Sequence, residues 1–409
     1  MSFNSICMMG LGYIGLPTAA VFASKKVNVI GVDINQHTVD IINRGEIHIV
    51  EPELDILVHS TVQKGYLKAT TKPEKADAFI MAVPTPFKGA NHEPNLDYIE
   101  SATRALAKVL EKGNLVVLES TSPVGTTEKM AVWLAEERPD LSFPQDAGES
   151  SDIRIAHCPE RVLPGHIIRE LVENDRIIGG MTSKCTALAT ELYKVFVKGE
   201  CIATNARTAE MAKLTENASR DGQIAFANEL SVLCDKMDID VWELIALANR
   251  HPRVNILQPG CGVGGHCIAV DPWFIVHQFP HDAHMIKTAR ETNDAKPLYV
   301  VSKVREAVKG LKNPKIACLG LAFKPDIDDL RESPALEITK MLSDIEGYEI
   351  LAVEPNIDEL PTVLRNRRNV ELVPLQYSLG CVDVIVILVK HKDFLGISTK
   401  IQLLNFVNC

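Results

Sequence analysis

Apolar and polar positions fall into two regimes along this chain. Short apolar runs at 5–9, 27–32, 78–83, 115–118 and 153–157 read as strands of a parallel sheet, with a helix over 16–24 between the first two. From Asn205 to about Met237 the pattern turns helical, with no proline and only Gly222 to interrupt it, and helix signals continue over 241–249 and 285–308. Strand-like runs then return at 315–319, 349–353, 370–374 and 382–389. The order predicts an α/β fold: two Rossmann-like, doubly wound parallel-sheet domains joined by a central, mostly helical region. At 409 residues the chain is too long for one core, and boundaries at 1–200, 201–305 and 306–409 follow the pattern. A long apolar helix in mid-chain is the usual material of a homodimer interface.

The first strand runs directly into Gly10-Leu11-Gly12-Tyr13-Ile14-Gly15, and Asp33 ends the second. Gly10 suits the tight turn, Gly12 lets a pyrophosphate approach the backbone, and Gly15 lets helix pack on strand; an unpaired helix N-terminus then faces the phosphates. Asp33 would accept hydrogen bonds from an adenosine ribose and repel a 2′-phosphate, which favours NAD over NADP. The second α/β block has no GxGxxG, so it is not expected to hold a second dinucleotide.

In an open parallel sheet the ligand lies beyond the carboxyl ends of the strands. Thr85, Thr121, Thr126 and Glu160 sit there, although each threonine also fits an ordinary turn or helix cap. Glu160, a carboxylate beside prolines, has no evident structural task. On the long helix Lys213, Asn217 and Arg220 share one face at i, i+4 and i+7; among so many alanines that stripe suits a polar pocket, against the alternative of a solvated face. Arg250, His251 and Arg253 lead into the stretch 259–272, PGCGVGGHCIAVDP, and would suit an anionic nucleotide diphosphate or simply decorate a surface. Its glycines either present Cys267 to a ligand or precede a small buried cysteine. Lys324 and Arg331 are charge partners for a nucleotide in the last block.

Composition narrows the classes. Apolar residues make up 46% and charged residues 23%, as in a globular protein, and a net charge of -10 with no basic run argues against nucleic acid. No leader and no apolar run of membrane-spanning length is read, so no membrane partner is expected. Ten scattered cysteines without CxxC pairs fit reduced thiols in a cytoplasm, and no zinc spacing is present, so no metal is expected.

Six stretches, GLGYIGLP at 10–17, STSPVGTT at 120–127, CPERVLPG at 158–165, AKLTENASRD at 212–221, GCGVGGHCIAVDP at 260–272 and GLAFKPDIDDLRESPA at 320–335, together resemble the UDP-glucose/GDP-mannose dehydrogenase family, in the family's order and over nearly the whole chain. Most members carry proline and lysine between the cysteine and the aspartate. Ala269-Val270 here, with CPERVLPG and His251, is similar to the branch that oxidises UDP-N-acetyl-D-mannosamine; UDP-N-acetylglucosamine and UDP-glucose are the alternatives. The resemblance implies an NAD-dependent oxidation of the C6 alcohol to the acid, in two steps, serving a bacterial surface polysaccharide of the enterobacterial common antigen type.

That chemistry removes two hydrides, and a thiol solves the problem of the escaping aldehyde by forming a thiohemiacetal and then a thioester. Cys267 is the candidate nucleophile, and Lys213 and Asn217 suit the oxyanion. Asp271 and Glu160 are candidates for moving protons, with Thr121 orienting water. By resemblance Arg161, Val162, Lys213, Asn217, Arg220, His251, Arg253, Gly264, Phe323 and Lys324 match positions that hold the nucleotide sugar; Tyr13, Ile14, Asp33, Thr85, Thr126 and Arg331 match cofactor positions. A dehydrogenase of the 6-phosphogluconate or 3-hydroxyisobutyrate kind also pairs a nucleotide domain with a Lys-x-x-x-Asn helix, but removes one hydride and needs no thiol. The tail HKDFLGISTKIQLLNFVNC departs from the family after Asp393 and resembles a frameshifted or truncated end. The final strand of the second block and a late cofactor-contacting arginine are therefore expected to be missing, which opens the reading of an inactive binding protein.

Overall fold

The computed structural model describes residues 3–89, 91–163 and 165–409, so Pro164 of the 158–165 motif lies outside the described residues. The chain forms two compact units, Met1–Thr215 and Glu216–Cys409, and the division falls inside one continuous helix, Ala206–Lys236.

In the first unit the strands are β1 (Ser5–Met9), β2 (Asn28–Val32), β3 (Leu67–Thr70), β4 (Ala78–Met81), the two-residue β5 (Phe87–Lys88) and β6 (Glu93–Pro94), β7 (Leu115–Leu118), β8 (Arg154–His157), β9 (Arg176–Gly180) and β10 (Cys201–Asn205). Eight of them make one sheet in the order β10-β9-β8-β7-β4-β1-β2-β3. Successive residues point to opposite faces, and both faces are apolar. Ile6, Met8, Ile80 and Val117 pack on one side with Leu16 and Phe22 of the first helix, Gly15–Ser24; Cys7, Met9, Met81 and Leu118 pack on the other with Met130 and Leu134. Registers pair Met9 with Val32 and Met81, Met81 with Leu118, and Leu118 with His157, so the carboxyl ends of five strands lie along one edge.

The sheet is not wholly parallel: β8 and β9 pair antiparallel. Neither β9 nor β10 is legible as an apolar run, because β9 opens on Arg176 and ends in two glycines while β10 is a mostly exposed edge. β3, half exposed at Lys68, escapes for the same reason. Elsewhere element ends differ from the sequence expectation by a residue or two, most at 382–389, where pairing is confined to Val384–Ile387.

The second unit holds β11 (Lys315–Leu319), β12 (Glu349–Val353), β13 (Val370–Leu372), β14 (Val384–Ile387) and β15 (Gln402–Asn405), all parallel in the order β13-β12-β11-β14-β15. This corrects the expectation for the tail. Residues 402–405 do form the closing strand, paired through Val384 to Ile387, and Phe394, Leu404 and Phe406 join the apolar clusters on either side. The local sequence is only weakly patterned; an open edge beside β14 supplies the order. The turn after β11 mirrors the turn after β1: Gly320 has φ +96 where Gly10 has +93. Where Asp33 accepts one turn amide, from Leu11 at 3.2 Å, the longer Glu354 accepts two, from Leu321 at 2.7 Å and Ala322 at 3.0 Å. No helix among the described residues is long and apolar enough to cross a membrane.

Candidate active site

The turn after β1 is built for close approach. A Cβ on Gly10 would lie 2.5 Å from the Ala82 carbonyl oxygen and one on Gly15 only 1.9 Å from that of Gly10, so neither position accepts a side chain. Gly12 is different: it is exposed and faces open space, with nothing within 4 Å of a Cβ. The helix that follows has Ile14 at its N-cap position, with no side-chain cap and no acid in its first turn, while Tyr13 packs partly on the first apolar cluster. Asp33, half-buried, turns its second oxygen to the Asn35 amide at 2.9 Å. Thr85 Oγ1, at the end of β4, is buried with no hydrogen-bond partner. An open glycine, an uncapped helix and an orphaned hydroxyl on one sheet edge fit a dinucleotide.

The loops beyond β7 and β8 are held from below. Glu210, on the long helix and 1% exposed, accepts from the amides of Gly125 (2.6 Å) and Thr127 (2.7 Å) and from the Thr127 hydroxyl (2.6 Å). It thereby caps the helix Thr126–Glu137 and fixes the loop that carries Thr121. The Thr126 hydroxyl is spent locally on the Pro123 carbonyl at 2.6 Å. Glu160 has the structural task that its sequence context hid. One oxygen pairs with buried Arg176 at 2.8 Å and the other accepts the Arg161 amide at 2.6 Å. Arg176 also meets Glu119 at 3.1 Å, and Tyr193 donates to that same Glu119 oxygen at 3.1 Å. Burial, opposed by Arg176 and reinforced by Glu160, pushes the Glu119 carboxyl up, and burial holds the Cys158 thiol up at about 12. This pair of acids around one arginine braces the 158–162 segment. Arg161 itself is half-buried and donates to the Asp175 carbonyl at 3.2 Å, and Val162 packs on the first apolar cluster.

In the second unit the glycine loop distinguishes its two cysteines. Cys261 is a core residue, 5% exposed, its thiol pushed up by burial to about 12. Cys267 is half-buried at a bend, and its carbonyl accepts from the amides of Val270 (3.0 Å) and Asp271 (2.8 Å) as the helix Asp271–Gln278 begins. Asp271 is buried, and its Oδ2 accepts from Asn217 Nδ2 at 2.5 Å. Lys213 lies one turn before Asn217 on the same helix and is half-buried; Arg220 is exposed. The loop rests on Phe323: a Cβ on Gly264 would meet its Cβ at 2.7 Å, and one on Gly265 its ring at 2.9 Å. Gly265 donates to the Arg331 carbonyl at 3.1 Å, while the Arg331 guanidinium is paired with Asp329 at 2.6 Å. Lys324 is half-buried beside Phe323. His251 and Arg253 share an exposed loop whose base is closed by Asn249, which donates to the Ile256 carbonyl (3.0 Å) and accepts from its amide (2.7 Å).

Within each unit, then, residues far apart in sequence converge: Gly12, Asp33, Thr85, Thr121 and Glu160 on one sheet edge of the first, and Asn217, Gly264, Cys267, Asp271 and Phe323 around the loop of the second. Glu119, Arg176 and Glu210 carry no sequence signal for their parts, since a lone charge on an unpatterned strand or helix reads as solvent-facing.

Comparison with known proteins finds relatives along nearly the whole chain. A UDP-N-acetyl-D-mannosamine dehydrogenase from Campylobacter jejuni is 72% identical over 397 residues, covering 97% of this chain and 98% of its own. An NDP-N-acetyl-D-galactosaminuronic acid dehydrogenase from Ralstonia nicotianae is 62% identical over 98% of this chain and 93% of its own. The solved structure of a UDP-D-ManNAc dehydrogenase from Pyrococcus horikoshii superposes with a TM-score of 0.88 at 39% identity, covering 99% of this chain and 95% of its own. The NAD binding domain of one family matches residues 4–197, its central domain 207–295 and its UDP binding domain 317–404. With all three parts present in order, this chain belongs to the UDP-glucose/GDP-mannose dehydrogenase family and is an NAD-dependent oxidoreductase acting on nucleotide sugars.

Proposed function

We propose that the protein oxidises the C6 alcohol of UDP-N-acetyl-D-mannosamine to the carboxylate, using two NAD per sugar and a covalent stage on Cys267. The observation that carries the covalent stage is the contrast within one loop between a buried Cys261 and a half-buried Cys267 four residues before a helix. The manno configuration is supported by the 72% identical relative, against 62% for the galacto one.

NAD would supply the hydride acceptor for both oxidations, and Gly10, Gly12, Tyr13, Ile14, Gly15, Asp33, Thr85 and Thr126, with Arg331 by resemblance, are the residues that would hold it. The alcohol loses a proton to Asp271 and a hydride, giving the aldehyde. The Cys267 sulfur adds to the aldehyde carbon as the carbonyl π bond breaks and the thiol proton passes to the oxygen, forming a thiohemiacetal whose oxygen is stabilised by Lys213 and Asn217. Loss of a second hydride and the hydroxyl proton leaves a thioester. Water, oriented by Thr121, adds to its carbon, the C–S bond breaks, and the thiol and the acid are released. Glu160 serves in this scheme as the group that sets Arg161, since both its oxygens are engaged. Arg161, Val162, Arg220, His251, Arg253, Gly264, Phe323 and Lys324 hold the nucleotide sugar.

A three-part division near 1–200, 201–305 and 306–409 goes with this reading. So does a homodimer, for which Phe226 and Leu233 on the long helix and Met237 just past its end offer exposed apolar surface. Ten free thiols suit a cytoplasmic setting and a product destined for a bacterial surface polysaccharide of the enterobacterial common antigen type.

The test is to incubate the purified protein with NAD and UDP-N-acetylmannosamine, UDP-N-acetylglucosamine, UDP-N-acetylgalactosamine or UDP-glucose and count NADH. Two NADH per manno sugar, with the other sugars turned over far more slowly and the Cys267→Ala variant blocked, are expected. One NADH per sugar together with an active Cys267→Ala variant would overturn the reading.

A further inference from the structure

The second unit contains a buried chain of polar side chains that the reaction scheme does not use, and it ends on the loop that carries Cys267. Asp221, Asn228, Arg290 and Asn293 are each no more than 1% exposed. Arg290 donates to Asp221 Oδ1 at 2.6 Å and also pairs with Asp294. Asn293 Nδ2 donates to the same Asp221 oxygen at 2.8 Å, and Asn228 Nδ2 donates to Asn293 Oδ1 at 2.8 Å. The last link leaves the helices: the Gly260 amide, at the head of the glycine loop, donates to Asn228 Oδ1 at 2.9 Å. Gly262 then lies against the Asn293 carbonyl, which a Cβ there would meet at 3.3 Å.

The far end of the same loop is held by the same helix, through Asn217 and Asp271. Asn217 and Asn228 are eleven residues apart, so at about 100° per residue they return to within about 20° of one another, and Asp221 falls about 40° from Asn217. The two anchors are roughly 16 Å apart along the axis at about 1.5 Å per residue. The loop is therefore strapped lengthwise along one face of the helix, with Cys267 between the straps.

Burying an ion pair and two amides seldom gains stability over an apolar packing of equal volume, so stability alone does not account for the chain; it does fix a single geometry. We propose that Asn228 and Asn293, seated on Asp221 and Arg290, are positioning residues that set the reach of the Cys267 sulfur by fixing the head of its loop. This rests on the reading of Cys267 as the nucleophile.

The experiment compares Asn228→Ala, Asn293→Ala and the double variant in the full-length protein. Expected are a fall in kcat on the order of 100-fold with KM for UDP-sugar and NAD within about threefold, as for a displaced reacting group. The double variant should be no worse than the poorer single one, because both act through one chain. The alkylation rate of Cys267 by iodoacetamide should change in parallel, while that of exposed Cys381 stays fixed. Folded variants whose kcat and Cys267 alkylation stay within twofold of the parent, or whose losses multiply, would overturn the proposal.

Hydrogen exchange on the unaltered protein provides a test that survives any failure of the variants to fold. The Gly260 amide should be protected as strongly as the helix amides around Asn228, and exchange at the rate of an open loop would sink the strap. Failure of the nucleophile reading shows differently: Cys267→Ala would still yield two NADH per sugar, whatever the exchange of Gly260.

Discussion

Asn217 donates from Nδ2 to Oδ2 of Asp271 across 2.5 Å, joining the long helix to the first residue of the helix that follows the glycine loop. The amide fixes the orientation of the carboxylate. Asp271→Asn is expected to lower kcat by about 100-fold or more, as for loss of a positioned proton carrier, with KM for the sugar little changed. Initial rates of NADH formation check this; a variant within threefold of the parent would remove Asp271 from the reaction.

The two loop cysteines should part company in their reactivity. Iodoacetamide at pH 8 is expected to label Cys267 and the exposed Cys381, leaving Cys261 unlabelled until the protein unfolds, since its thiol is buried and held at about 12. Bound UDP-sugar should slow Cys267 alone. Peptide mass spectrometry reads each site, and early labelling of Cys261 would contradict the burial contrast.

The glycines of the first turn separate folding from binding. Gly12→Ala meets no atom, so its thermal midpoint without ligand should match the parent while the rise produced by NAD shrinks or disappears. Gly15→Ala places a Cβ on the Gly10 carbonyl and should destabilise the protein itself by about 2 kcal/mol or more. Thermal scans with and without NAD distinguish the two.

Lys296 gives a pH dependence with a definite sign. Burial, opposed by Cys261 and Asp235, holds its ammonium group down at about 8. Below pH 8 both folded and unfolded chains carry the proton, and the buried charge costs about 3 kcal/mol. Between pH 8 and the ordinary lysine value the unfolded chain binds more protons, so this group's contribution to stability rises with pH. Lys296→Met should therefore be more stable than the parent at pH 7, with the gain shrinking towards pH 10. Denaturant midpoints across that range test it, and a gain that grew with pH would reverse the argument.

Removing Arg176 should be costly. Arg176→Met leaves Glu119 and Glu160 facing one another in the protein interior, and a loss of about 3–5 kcal/mol is expected. Glu119→Gln, which leaves one acid for one base, should cost far less. Equal losses would show that the arginine acts by packing on Tyr193 rather than by charge.

What the sequence revealed was whatever is written in periodicity or in glycine. β1, β2, β11 and β12 are apolar after a polar first residue, and the turn at Gly10 to Gly15 follows from a backbone that tolerates no Cβ at Gly10 or Gly15. The strands that escaped, β3, β9, β10 and β15, are edges or carry charge, and only their neighbours make strands of them. The same holds for side chains. Cys267, Asn217 and Asp271 stand out by motif, whereas Arg176, Glu210, Asn228 and Asn293 act through partners dozens of residues away. Glu160 illustrates the limit: nothing adjacent to it in sequence discloses that Arg176 will lie beneath it.

The twin turns after β1 and β11 differ in the charge that rests on them. In the second, Glu354 is held at about 2, its burial outweighed by His391 and the amides of Leu321 and Ala322, so it stays ionised at any physiological acidity. It works as a resident anion, occupying the two amides that a free phosphate would otherwise court. The second turn thus carries a standing negative charge on its own amides, whereas the first leaves Gly12 open.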